Sequence, residues 1–206
     1  MLLKMDLRSI SNRNLLKISA LFLGIILIAA ILTASYPPFE EQFIAMAILG
    51  KNGEVNNYFP ENISRIEVGT QISWYIYVYN HMDIKKDISI RVKLLNSSLE
   101  EPNDNTGEPS PALPFIEIPL TLERNETLIF PFVFSLPQVT LIDQSVKLTM
   151  IDVNNAFIPL DVSAVNGLSF RFIFELWVYN EVQKTFEFSW KDKAPVWNQI
   201  WFDINI

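Results

Sequence analysis

Apolar residues fall at every second position in seven separate stretches of this 206-residue chain. A repeat of two is the repeat of a strand, whose successive side chains point to opposite faces. Ile72, Trp74, Ile76 and Val78 alternate with Ser73, Tyr75, Tyr77 and Tyr79. Ile88, Ile90, Val92 and Leu94 alternate with Ser89, Arg91 and Lys93. Ile116 to Leu122 and Phe130, Phe132 and Phe134 continue the pattern, followed by Val146, Leu148 and Met150. Phe170, Phe172, Phe174 and Leu176 put Arg171 and Glu175 outside, and Phe186, Phe188 and Trp190 do the same for Glu187 and Ser189. Beyond residue 41 no segment carries a 3.6 repeat.

Turn dipeptides separate the stretches: Asn52-Gly53, the strongest hairpin signal, then Asn80-His81, Asn125-Glu126, Asn154-Asn155, Asn166-Gly167 and Asn180-Glu181. Eight to ten short antiparallel strands predict an all-β, immunoglobulin-like sandwich of two sheets. Pro119, Pro131 and Pro159 lie inside strand-like runs and mark edges or bulges, because proline donates no ladder hydrogen bond. One stretch breaks the rhythm. Residues 96–114 are polar, acidic and proline-rich, and read as a mobile loop between two strands.

Ahead of the strands lie 19 residues without a charge, Ile18–Tyr36. As a helix at about 1.5 Å per residue they reach across a hydrocarbon core. Lys4, Arg8, Arg13 and Lys17 against Asp6 give residues 1–17 a net +3, and the whole chain is −7, so residues 18–206 carry −10. Basic flanks stay cytoplasmic. The expectation is a cytoplasmic basic segment (1–17), a transmembrane helix (18–36) in contact with membrane lipid, and an extracytoplasmic sandwich (37–206) at the cell membrane. A cleaved signal peptide, with Thr33 and Ser35 before the cut, and a pilin-like helix are the alternatives. Pro37-Pro38 ends the helix, with Tyr36 and Phe39 at the interface and Glu40-Glu41 as solvation. An acidic domain seeks no nucleic acid. With no cysteine, it rests on its core alone.

Four short motifs resemble an archaeal membrane-anchored family known as domain of unknown function sixteen-sixteen. They are Ile48-Leu49-Gly50 with Asn52-Gly53 and Tyr58-Phe59-Pro60; Val68-Gly69 leading to Asn80-His81; Glu126-Thr127 with Pro131-Phe132-Val133-Phe134; and Trp201-Phe202-Asp203-Ile204. The family often has an acidic residue directly after Asn-His, where this chain has Met82 and then Asp83. The resemblance implies an immunoglobulin-like ectodomain on an archaeal envelope protein, and no activity.

No catalytic, cofactor-binding or metal constellation emerges. His81 is the single histidine, and Asn80-His81 reads as a turn closed by the asparagine side chain. Glu100, Glu101, Asn103, Asp104, Asn105 and Glu108 are dense in oxygen, but their spacing matches no EF-hand, so a solvated loop outweighs a calcium site. Asn62, Asn96 and Asn125 head glycosylation sequons near turns. Tyr75, Tyr77 and Tyr79 on one strand face, and Trp197 and Trp201 on an apolar last strand, are the candidate partner face. The expected role is protein–protein contact by a membrane-anchored, non-enzymatic domain of the cell envelope. The alternative is an accessory single-span subunit of a membrane enzyme complex, for which Ser19, Ala20, Gly24, Ala29, Ala30 and Ala34 permit close helix approach.

Overall fold

A computed structural model describes residues 12–35, 42–189 and 194–205. The chain divides into two units, Met1–Glu41 and Gln42–Ile206. In the first, Asn12–Ser35 forms helix α1. Its described side chains are Lys17 and residues 19–31, and Leu21 to Ile28 include large apolar groups that are more than half exposed. Among the described residues no helix is long and apolar enough to cross a membrane. Lys4, Asp6 and Arg8 of the basic segment, and Tyr36, Pro37, Pro38, Phe39, Glu40 and Glu41 after the helix, lie outside the described residues, as does Trp190.

The second unit is a two-sheet β-sandwich. Its strands are β1 (Phe43–Leu49), β2 (Arg65–Glu67), β3 (Ile72–His81), β4 (Lys86–Asn96), β5 (Ile116–Leu122), β6 (Thr127–Ile142), β7 (Ser145–Val153), β8 (Ala156–Val165), β9 (Phe170–Asn180), β10 (Thr185–Glu187) and β11 (Val196–Asn205). One sheet runs β1-β3-β6-β7-β8. The other runs β2-β11-β9-β4-β5, with β10 also on β9. All pairs are antiparallel except β2 with β11. The chain crosses between sheets after β1, β2, β3, β5 and β8. With β1, β3 and β6 facing β5, β4, β9 and β11, this is immunoglobulin-like connectivity, extended by the β7–β8 hairpin.

The alternation builds the core. In β3 the even positions Ile72, Trp74, Ile76 and Val78 are buried, and they meet Phe170, Phe172, Phe174 and Leu176 of the facing sheet. Trp74 sits centrally, within 6.3 Å of Phe132, Phe134, Phe172 and Phe174 between ring centroids. Its indole nitrogen donates to the Tyr58 carbonyl at 2.6 Å, which satisfies the one polar atom of a fully buried ring.

The prolines fall where a ladder can lose a donor. Pro119 and Pro159 are on the edge strands β5 and β8, and Pro131 is in the first half of β6, which pairs with β3 alone. Three local expectations fail. Asn52-Gly53 makes a turn, with the Gly53 amide donating to the Gly50 carbonyl, but no hairpin, because β1 pairs with β3. In β7 a register shift between Leu148 and Met150 reverses the phase, so Ile151 and Val153 are buried instead of Met150. Phe186 and Phe188 do not enter the core: they pack on Tyr179 and Trp177, on the outward face of β9.

Candidate functional site

The two candidate aromatic groups lie on opposite outer faces of the sandwich. Tyr75, Tyr77 and Tyr79 are on the outward side of the β1 sheet, whereas Trp197 and Trp201 are on the outward side of the β9 sheet. A single partner face made of all five is therefore ruled out by the topology.

The β9 face is roofed by the chain itself. Its polar positions were expected to face solvent, yet Ser89, Lys93, Arg171 and Glu175 are all buried, as are Leu95 and Ile173 beside them. The cover is the 96–114 segment, which is packed rather than free. Lys93 Nζ donates to Glu175 Oε1 at 2.8 Å and to the Ser110 carbonyl at 2.6 Å, with 4% and 0% of the two side chains exposed. The Ser110 amide donates to the same carboxylate oxygen at 2.9 Å, and Trp177 Nε1 donates to the other at 3.0 Å. A buried ion pair stands against its desolvation only when such hydrogen bonds complete it.

Arg171 ties down the start of the roof. Its guanidinium donates to Glu101 at 2.7 Å, to Gln199 at 3.2 Å and to the Leu99 carbonyl, and lies 4.6 Å from the Trp201 ring centre. Arg91 stacks on Trp177 at 3.7 Å. Gly107, at φ 69°, brings the loop tip so close to Ser189 that a Cβ there would lie 2.7 Å from its hydroxyl. Trp197 Nε1 donates to Asp104 at 2.7 Å. The tryptophans thus serve the roof, although Trp201 keeps 41% of its surface exposed.

The oxygen-rich loop residues are engaged in the same way. Asn103 Oδ1 accepts from the Asn105 and Thr106 amides, and Glu108 accepts from the Thr106 hydroxyl. An open cleft of about 720 Å³ remains between loop and sheet, lined by Glu100, Glu101, Asp104, Glu108, Arg171 and Trp197. Among the described residues no group of three His, Asp or Glu side chains is placed to hold a metal ion.

The β3 face is different. Tyr75, Tyr77 and Tyr79 stand in a half-buried row. Opposite them are Leu49, Ala47 and Ala45 of β1, and Pro131, Ile129 and Thr127 of β6. No Lys, Arg, Asp or Glu occurs within Phe43–Leu49, residues 73–81 or residues 127–133. Phe43 and Ile129 are 42% and 54% exposed. His81 belongs to this rim: its ring lies 4.8 Å from Phe43, and Nδ1 is 2.9 Å from the Tyr79 hydroxyl.

Asn80 fills the structural role expected of it. Fully buried, it donates to the carbonyls of Ile84 at 3.0 Å, Leu122 at 3.2 Å and Glu123 at 2.9 Å, and accepts from the Met82 amide. It thereby joins the β3–β4 turn to the end of β5. Of the sequon asparagines, Asn62 and Asn125 are exposed in positive-φ turns. Asn96 is half-buried, and its amide nitrogen donates to the Ser163 carbonyl at 2.7 Å.

No family model matches the sequence, and no curated protein matches it. Several solved structures are similar. The CARDB domain of a Pyrococcus furiosus protein, solved in complex with di-metal ions, is 10% identical, with 83% of this chain and 95% of that one covered and a TM-score of 0.38. A Listeria innocua β-glucosidase is 8% identical over 80% of this chain and 16% of its own, at a TM-score of 0.38. The Bacillus subtilis sporulation control protein Spo0M is 10% identical over 79% of this chain and 49% of its own, at 0.35. Likeness this slight carries no argument about a site or an activity.

Proposed function

We propose that this chain is a non-enzymatic, membrane-tethered β-sandwich on the outer face of an archaeal cell membrane, and that it makes protein contacts through the tyrosine face of β3. The observation that carries the reading is the contrast between the two outer faces. Much of the β9 face is covered by the chain's own loop, while the β3 face offers a tyrosine row on a surface whose three strands carry no Lys, Arg, Asp or Glu. Tyrosine gives large contact area, a polar tip and little rotamer entropy to lose, and depletion of charge marks the core of an interface. The tether is supported by the uncharged run Ile18–Tyr36, by the charge split on either side of its start, and by the exposed apolar side chains of α1. The archaeal envelope follows from the family resemblance.

Native pull-down of the full chain from membranes in mild detergent tests the reading. Co-purification with surface-layer or filament proteins supports an envelope contact, and stoichiometric recovery with a membrane enzyme supports the accessory-subunit role. In either case the Tyr75→Ser, Tyr77→Ser, Tyr79→Ser variant should lose the partner while keeping its fold. A clean monomer, or assembly unchanged in the folded variant, overturns the proposal.

A further inference from the structure

We propose that this domain carries N-linked glycans on Asn62 and Asn125, and none on Asn96. The inference rests on the outer-face reading above, because the sugar is added on the translocated side of a membrane. Three Asn-X-Ser/Thr triplets occur: Asn62-Ile63-Ser64, Asn96-Ser97-Ser98 and Asn125-Glu126-Thr127. The fold treats them differently.

Asn62 and Asn125 lie at turns. The Asn62 amide donates to the Phe59 carbonyl at 3.1 Å, and the Ile63 amide donates to the Pro60 carbonyl at 3.1 Å. Asn125 sits inside the turn that the Glu126 amide closes on the Glu123 carbonyl at 3.1 Å. Both asparagines are exposed, at φ 60° and 57°. Asparagine tolerates this left-handed backbone, so the turns by themselves account for the asparagines. They do not account for the hydroxyls two residues on. Ser64 and Thr127 are exposed, and among the described residues neither hydroxyl nor either asparagine side chain makes a hydrogen bond. That hydroxyl is the part of the triplet a glycan transferase reads.

The third triplet is explained by the fold alone. Asn96 Oδ1 accepts from the Ser98 amide at 3.0 Å and from the Ser98 hydroxyl at 2.7 Å, so the serine serves the turn. Asn96 Nδ2, the atom that would take the sugar, donates to the Ser163 carbonyl at 2.7 Å in a half-buried contact between β4 and β8. A sugar on that nitrogen would part the two strands. Whether transfer precedes or follows folding, no folded molecule carries one there.

The step is a glycosyl transfer from an oligosaccharide held on a polyisoprenyl phosphate lipid. Asparagine Nδ2 attacks C1 of the first sugar. The N–C1 bond forms as the C1–O bond breaks, the lipid phosphate leaves with the bonding electrons, and one amide proton passes to a base of the membrane transferase.

Removing the hydroxyl rather than the asparagine tests the sites without straining a left-handed turn. The full chain is made in an archaeal host whose own surface proteins carry such glycans, and is recovered from its membranes. Its intact mass should exceed the chain mass by two glycans. Ser64→Ala and Thr127→Val should each remove one, the double variant both, and Ser98→Ala none. Glycopeptide mapping of the unsubstituted chain places the sugars even if a variant fails to fold. In parallel, Val182→Cys puts one almost fully exposed thiol on a chain without cysteine, and a membrane-impermeant maleimide on intact cells reports its side of the membrane. Labelling with Asn62 or Asn125 bare, or a glycan on Asn96, overturns the inference and leaves the outer-face reading standing. Absence of both label and glycan overturns the outer-face reading, and this inference with it.

Discussion

Replacing Lys93 by methionine tests how the roof over the β9 face is held. The substitution nearly conserves volume and leaves the Glu175 carboxylate fully buried, facing only the Ser110 amide and Trp177 Nε1. It also removes the donor to the Ser110 carbonyl. Breaking one side of a buried pair costs about 3–5 kcal/mol, because the remaining charge stays desolvated. For a sandwich of this size that lowers Tm by about 6–20 °C, at roughly 2–4 °C per kcal/mol. Adding Glu175→Leu removes the stranded charge and newly unpairs the Ser110 amide, at about 1–3 kcal/mol, and the part-buried Trp177 Nε1, while the Ser110 carbonyl is unpaired in both variants. The double variant should therefore be more stable than Lys93→Met alone. Thermal unfolding followed by tryptophan emission gives the stabilities. Glutamate-specific proteolysis after Glu100 reports whether the roof has lifted; Glu101 and Glu108 precede prolines and stay uncut in either state. A single substitution that costs less than about 1 kcal/mol, the level of an exposed pair, and leaves the loop as resistant as before would refute the buried network.

Asn80→Ala strips four hydrogen bonds from a fully buried site and leaves carbonyls of two turns without their donor, so denaturant titration should show a loss of about 2–4 kcal/mol. Trp74→Ala opens a cavity among Phe132, Phe134, Phe172 and Phe174 and should lose about 3–5 kcal/mol in the same assay. Burial holds the Tyr58 phenol above its ordinary value of 10.0. A raised folded-state pKa means a stability contribution that is complete below the unfolded value and is lost as pH rises through the folded one. Tyr58→Phe should accordingly flatten the fall in stability above pH ~10, read as Tm against pH.

The core was legible because β3, β4 and β9 keep one phase along their length, and each even position in Ile72–Val78 and Phe170–Leu176 meets the facing sheet. Strand β7 was not, because a bulge inside it shifts the phase at Met150, and nothing in Val-Lys-Leu-Thr-Met-Ile marks one. The roof was missed for a chemical reason. Arg171 and Glu175 look like solvent-facing residues, and their burial depends on partners 70 and 65 residues away, at Glu101 and Ser110. A signal was present: Leu95, Ile173 and Trp177 share their face, and apolar groups interleaved with charge on an outward side point to a cover. The acidic loop looked free because its composition shows charge and proline, while its anchors combine backbone groups of Leu99 and Ser110, which composition does not register, with Glu101 and Asp104, whose partners Arg171 and Trp197 are distant in sequence. The two aromatic groups could be found from the sequence, but their separation onto opposite faces required the strand order.

Contact through the β3 face is most directly tested by photocrosslinking in intact membranes, with benzoylphenylalanine in place of Tyr77 and, separately, of Trp201. The account predicts a discrete adduct with a protein other than this chain from position 77, and none from position 201 beside Arg171. Equal adducts from both positions, or none from position 77, would contradict it.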